Sequence, residues 1–186
     1  MSDLQTIFEK LRSALEAAGI PYLVSGSFAS SAHGVPRSTN DIDVVIAPSQ
    51  EQLRMLLTQF PSSLYAKDEE DAFDALSRKS QFQVIDYGTM WKVDFMIHNG
   101  TPFDNSRFAR SQPIDIAGVR LQTATAEDML ITKLWWSKLG ESNRQLNDAA
   151  GIIEVQGTKL DVAYIERWVK ELELREQWLA ALEKAG

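Results

Sequence analysis

Apolar residues recur at spacings of three and four through Leu4, Ile7, Phe8, Leu11 and Leu15. That pattern predicts an amphipathic helix over residues 3–18. Gly19 is placed to end it, and Pro21 forces an extended exit. The short apolar run Tyr22-Leu23-Val24 reads as a buried strand that runs straight into Gly26-Ser27. The small residues over 28–32 read as a short helix ending near Gly34. Asp41–Ile46 is a strand by its β-branched content, broken by Pro48. Ser49 and Gln52 have the spacing of a capping box, which predicts a helix over 50–60. The acidic stretch around 68–74 carries no pattern that assigns it. Residues 81–86 and 91–97 read as strands, and Tyr87-Gly88-Thr89 between them reads as the turn of an antiparallel hairpin. Residues 113–123 read as one or two short strands around Gly118. Thr125 and Asp128 repeat a cap-like spacing ahead of a helical pattern over 129–139. Two further helices are predicted over 143–156 and 161–184.

Together these elements predict an α/β (α+β) protein with a short mixed sheet flanked by helices. The sequence turns nearly all helical at about residue 125. The predicted division is therefore an α/β core over 1–124 and a helical C-terminal part over 125–186, with a ligand expected in the cleft between them.

Side-chain alternation turns the second strand into a chemical signal. Asp41 and Asp43 fall on one face, while Ile42, Val44 and Ile46 fall on the other and supply the side that packs. Two adjacent carboxylates repel, and one would normally be forced to hold a proton. A divalent cation removes that conflict, and carboxylate oxygens suit Mg2+ (or Mn2+), which takes other ligands from phosphates. On the strand over 91–97, Val93, Phe95 and Ile97 face one way, and Lys92, Asp94 and Met96 the other. If the two strands are neighbours, Asp94 completes a set of three carboxylates, enough for two ions roughly 3.5–4 Å apart. Asp94 could also accept the proton of an attacking hydroxyl. Gly26 lets backbone approach a phosphate closely, and the helix start after it, with the Ser27 hydroxyl, offers hydrogen-bond donors. Arg37 could reach a further phosphate oxygen.

Composition narrows the partners. The chain of 186 residues has 44% hydrophobic and 24% charged residues, as expected of a globular protein, and no cysteine. Disulfides and thiolate metal sites are thereby excluded. The net charge of −7 and the lack of a basic run argue against steering toward nucleic acid, so nucleic acid is a partner the charge does not favour. A small nucleotide carried with Mg2+, a protein partner or a cationic small molecule suits the charge better. No apolar run approaches the roughly 20 residues of a transmembrane helix. No secretory signal is apparent, so no membrane association is expected and the cytoplasm is the expected compartment.

The stretch Gly26-Ser27, then Asp41-x-Asp43 after thirteen intervening residues, then a separate strand with Asp94, resembles the DNA polymerase β-type nucleotidyltransferase superfamily. Within it, the segment from Gly26 to Asp43 resembles the small bacterial nucleotidyltransferases, including those of toxin–antitoxin modules and antibiotic-modifying enzymes. The likeness covers about residues 20–100. It implies the nucleotidyltransferase fold and transfer of a nucleoside monophosphate from an NTP to a hydroxyl of a protein, tRNA or small molecule. It further implies that Asp41, Asp43 and Asp94 hold the metal, with Asp94 helping to deprotonate the acceptor. In the toxin-type relatives a helical lysine and an Asp in an Arg-x-x-x-Asp-like element also contribute, and Lys133 and Asp148 (after Arg144) match those positions. The rival expectation is a non-catalytic antitoxin or adaptor of the same fold that binds a protein partner.

Overall fold

The computed structural model describes residues 3–36, 38–140 and 142–186. Helix α1, Asp3–Ala17, presents Ile7, Phe8, Leu11 and Leu15 to the core. It ends at Gly19, whose φ of 62° lets the Ile20 N–H reach back to the Leu15 carbonyl at 3.0 Å. Strand β1 (Tyr22–Val24), helix α2 (Gly26–His33), strand β2 (Asp41–Ile46) and helix α3 (Gln50–Thr58) follow. The capping box of α3 forms as predicted. The Gln52 N–H donates to Ser49 Oγ, and the Ser49 N–H to Gln52 Oε1.

Next come strand β3 (Tyr65–Ala66), helix α4 (Glu69–Arg78), strands β4 (Gln81–Asp86) and β5 (Lys92–Ile97), helix α5 (Pro102–Ala109), and strands β6 (Gln112–Ile116) and β7 (Val119–Thr123). The apolar pattern does not mark two of these helices. Helix α4 occupies the acidic stretch. Asp68 accepts from the Glu70 and Asp71 N–H groups, and three carboxylates lie in the first turn, where the helix dipole favours them. Helix α5 is capped by Thr101 and carries Pro102 in its first turn.

The seven strands form one mixed sheet in the order β3-β4-β5-β2-β1-β7-β6. The predicted β4–β5 hairpin is antiparallel, and residues 112–123 form a second hairpin. Strands β2 and β5 are parallel neighbours at the middle of the sheet. Ile42, Val44 and Ile46 of β2 and Val93, Phe95 and Ile97 of β5 join α1 and α3 in one apolar core. Phe82 of β4 stacks on Phe95 at 5.1 Å.

The remaining helices are α6 (Ala126–Gly140), α7 (Asn143–Gln156), α8 (Val162–Glu171) and α9 (Arg175–Ala185), with a 3-10 turn at Gly157–Lys159. The continuous helix expected over 161–184 is instead two helices. Glu173 takes φ +55°, and the Leu174 N–H closes back onto the Val169 carbonyl at 2.8 Å. This is a left-handed helix stop without the glycine that normally marks one. Leu174 is fully buried, so the break places an apolar side chain in the core.

The chain divides into two compact units, one of Met1–Phe28 with Ser38–Thr123 and one of Ala29–Arg37 with Ala124–Gly186. The sheet lies in the first. In the second, the His33 imidazole Nε2 is 2.8 Å from the Ala124 carbonyl, and Gln156 Nε2 donates to the His33 carbonyl at 2.6 Å. Among the described residues no helix is long and apolar enough to cross a membrane.

Candidate active site

The parallel register of β2 and β5 makes Asp41 the neighbour of Lys92, and Asp43 the neighbour of Asp94. Residues two apart on a strand share a face, so all four side chains emerge on the side opposite Ile42, Val44, Val93 and Phe95. Like charges in directly paired positions destabilise a sheet unless a cation sits with them. Lys92 places a cation beside Asp94 of that pair and beside Asp41. Its Nζ is 3.0 Å from Asp94 Oδ2 and 3.3 Å from Asp41 Oδ1. The hydrogen bond to Asp94 lifts the Lys92 ammonium above the ordinary lysine pKa; partial burial opposes the rise, and the bond to Asp41 adds to it.

Gly26 sets the position of the third piece. Beyond β1 the Ser25 N–H donates to the Asp43 carbonyl at 2.9 Å, which carries the β1–β2 pairing one residue further. Gly26 then turns the chain into α2 with φ +61°. A Cβ at this position would overlap the Asp43 carboxyl group. The residue must therefore be glycine on two counts, the left-handed backbone and the close approach of Asp43. Phe28, two residues on, packs edge-on to Phe8 of α1 at 5.1 Å and against Trp91 at 5.8 Å, which anchors the first turn of α2. The first N–H groups of a helix have no partner within it and point toward whatever lies at its start. Ser27 is 5% exposed in that turn.

Three carboxylates on one face make a hard, all-oxygen donor set of the kind Mg2+ or Mn2+ takes. The Lys92 ammonium shows that two of them already hold a cation between them. The residues therefore fit such an ion in chemical type and in the face they share. Among the described residues no three His, Asp or Glu side chains are gathered as the ligands of one ion. Asp41 and Asp94 are both turned to Lys92 instead.

The other residues singled out from the sequence have different surroundings. Arg37 lies outside the described residues. Lys133 of α6 and Asp148 of α7 are joined by an ion pair of 2.8 Å whose side chains are 4% and 11% exposed, within the second unit. In the same unit Tyr164 donates to Asp128 at 2.6 Å, and the Thr125 hydroxyl donates to Asp128 at 2.9 Å. Strand alternation puts Lys92 on the Asp94 face, but the sequence alone assigns it no role. Its proximity to Asp41 depends on which strands pair and in what register, and no local pattern encodes that.

The fold is shared with nucleotidyltransferases of known structure. ANT(2'')-Ia, in its crystal structure in complex with adenylyl-2''-tobramycin, is 14% identical and matches 94% of this chain and 99% of its own with a TM-score of 0.65. An antigenic nucleotidyltransferase-like protein from Paracoccidioides brasiliensis is 18% identical over 96% of this chain and 93% of its own, with a TM-score of 0.58. The lincosamide antibiotic adenylyltransferase LnuA, lincomycin-bound, is 9% identical over 83% and 98%, with a TM-score of 0.56. No protein-family profile matches the chain, and neither does any curated protein sequence.

Proposed function

We propose that the protein is a Mg2+-dependent nucleotidyltransferase that moves a nucleoside monophosphate from an NTP to a hydroxyl of a small acceptor. The observation that carries this reading is the pairing of Asp43 with Asp94, and of Asp41 with Lys92, on one face of two central strands, with Gly26 pressed against Asp43. The likeness to ANT(2'')-Ia over 94% of this chain and to LnuA over 83% supports a small acceptor. An antibiotic hydroxyl is therefore the first substrate class to try.

In this reading Asp41 and Asp43 hold the metal with Asp94, and the N–H groups at the start of α2 and the Ser27 hydroxyl hold phosphate oxygens. The metal, when bound, offsets the charge developing on the phosphate oxygens. Asp94 accepts the proton as the acceptor oxygen bonds to the α-phosphorus. The bond from that phosphorus to the bridging oxygen breaks, and pyrophosphate leaves.

The test is incubation with α-labelled NTPs and Mg2+ against aminoglycosides, lincosamides and a cell extract. Label should pass to an acceptor, and Asp43→Asn should lower the rate by at least about a hundredfold. Absence of any labelled acceptor, or equal labelling by Asp43→Asn, would count against the reading.

A further inference from the structure

We infer that Lys92 is a built-in counter-cation that competes with divalent metal for Asp41 and Asp94, so that metal enters together with the nucleotide rather than before it. This rests on the metal-dependent reading above. The ammonium takes an oxygen from each of these two carboxylates, at 3.3 and 3.0 Å. An ammonium and a dication on the same oxygens repel strongly, so one must leave. Lys92 is able to leave. Its side chain is one-third exposed, and its four-carbon stem is flexible. Nor is it needed to hold the strands together, because the β2–β5 ladder runs unbroken from Asp41 to Ile46. A triphosphate would give the displaced ammonium new oxygens to bind. Metal arriving alone supplies none, and so faces the full competition.

The experiment measures Mn2+ binding by electron paramagnetic resonance, with and without a non-hydrolysable NTP analogue. It compares wild type, Lys92→Met and Lys92→Arg. Without nucleotide, Lys92→Met should bind Mn2+ at least about tenfold tighter than wild type, and Lys92→Arg should resemble wild type. With the analogue present the gap should narrow. Equal nucleotide-free affinities in wild type and Lys92→Met would overturn the inference while leaving the metal-dependent reading intact. No Mn2+ bound by either protein, even with the analogue, would overturn both. Wild-type protein carrying 13Cε-labelled lysine gives a readout that does not depend on the variants folding. The Lys92 signal should shift when Mg2+ and the analogue are added together, and an unmoved signal would overturn the inference.

Discussion

Gly19 and Gly26 have almost the same backbone, with φ +62° and +61°, but different neighbours. A Cβ at Gly19 would meet Gln52 Nε2 at 3.7 Å, an ordinary contact. Gly19→Ala should therefore cost only the left-handed strain, about 1 kcal/mol. Gly26→Ala carries the same strain and also drives a methyl group into Asp43. It should cost about 2–4 kcal/mol and, on the proposed function, remove nucleotidyl transfer, while Gly19→Ala keeps it. Denaturant titration and the labelling assay on both variants check this; equal losses would dissolve the link between Gly26 and Asp43. His33 gives a second test at this scale. It is 6% exposed, and burial holds its pKa below the ordinary histidine value, with the hydrogen bond to Ala124 partly opposing. As pH falls, the unfolded chain therefore takes up this proton before the folded one does. The contribution to stability is complete above about pH 6.5 and is lost as pH drops through that value toward the folded pKa. Melting temperature should fall between about pH 7 and 5, and His33→Gln should flatten the slope. An identical slope in the variant would assign the acid sensitivity to other groups.

Among the elements, helix stops divide what the sequence shows from what it hides. Gly19 announced the end of α1. The α8–α9 break did not announce itself, because Glu173 holds the left-handed position where glycine would be expected. Lys79, with φ 53° at the end of α4, does the same. Glu173→Gly should therefore stabilise the protein by about 0.5–1 kcal/mol, seen as a raised melting temperature. The ion pair it removes, Lys138 to Glu173 at 3.7 Å, involves a carboxylate 87% exposed and contributes little. A lowered melting temperature would show that this side chain matters more than its backbone. Strands with alternating or β-branched runs were legible for the opposite reason: their signal lies in the residues themselves. Helix α4 was hidden by charge. Its apolar face is short, and only Asp68 at the cap followed by three acidic residues points to it.

For the molecule as a whole, the fold class and the shared face of Asp41 and Asp43 were legible because both follow from local periodicity. The pairing of β2 with β5 and its register were not, because they join segments about fifty residues apart through a core that no short window samples. Lys92 owes its place to that register alone. The second unit shows the same non-locality. Its helices from Ala126 onward are accompanied by the chain over residues 29–36, where Gly34 lies against the backbone of Gly151 and Ile152. A fragment of residues 124–186 lacks that segment and should melt without a cooperative transition by circular dichroism, whereas the full chain melts cooperatively. A sharp transition in the fragment would refute this. The position of β2 and β5 inside the sheet has one more consequence. Each is hydrogen-bonded on both sides, β5 between β4 and β2, and β2 between β5 and β1. Their amide protons should be among the last to exchange with solvent. The backbone beneath Asp41, Asp43 and Asp94 is thus a stiff platform, and any rearrangement on that face falls to side-chain rotation above it.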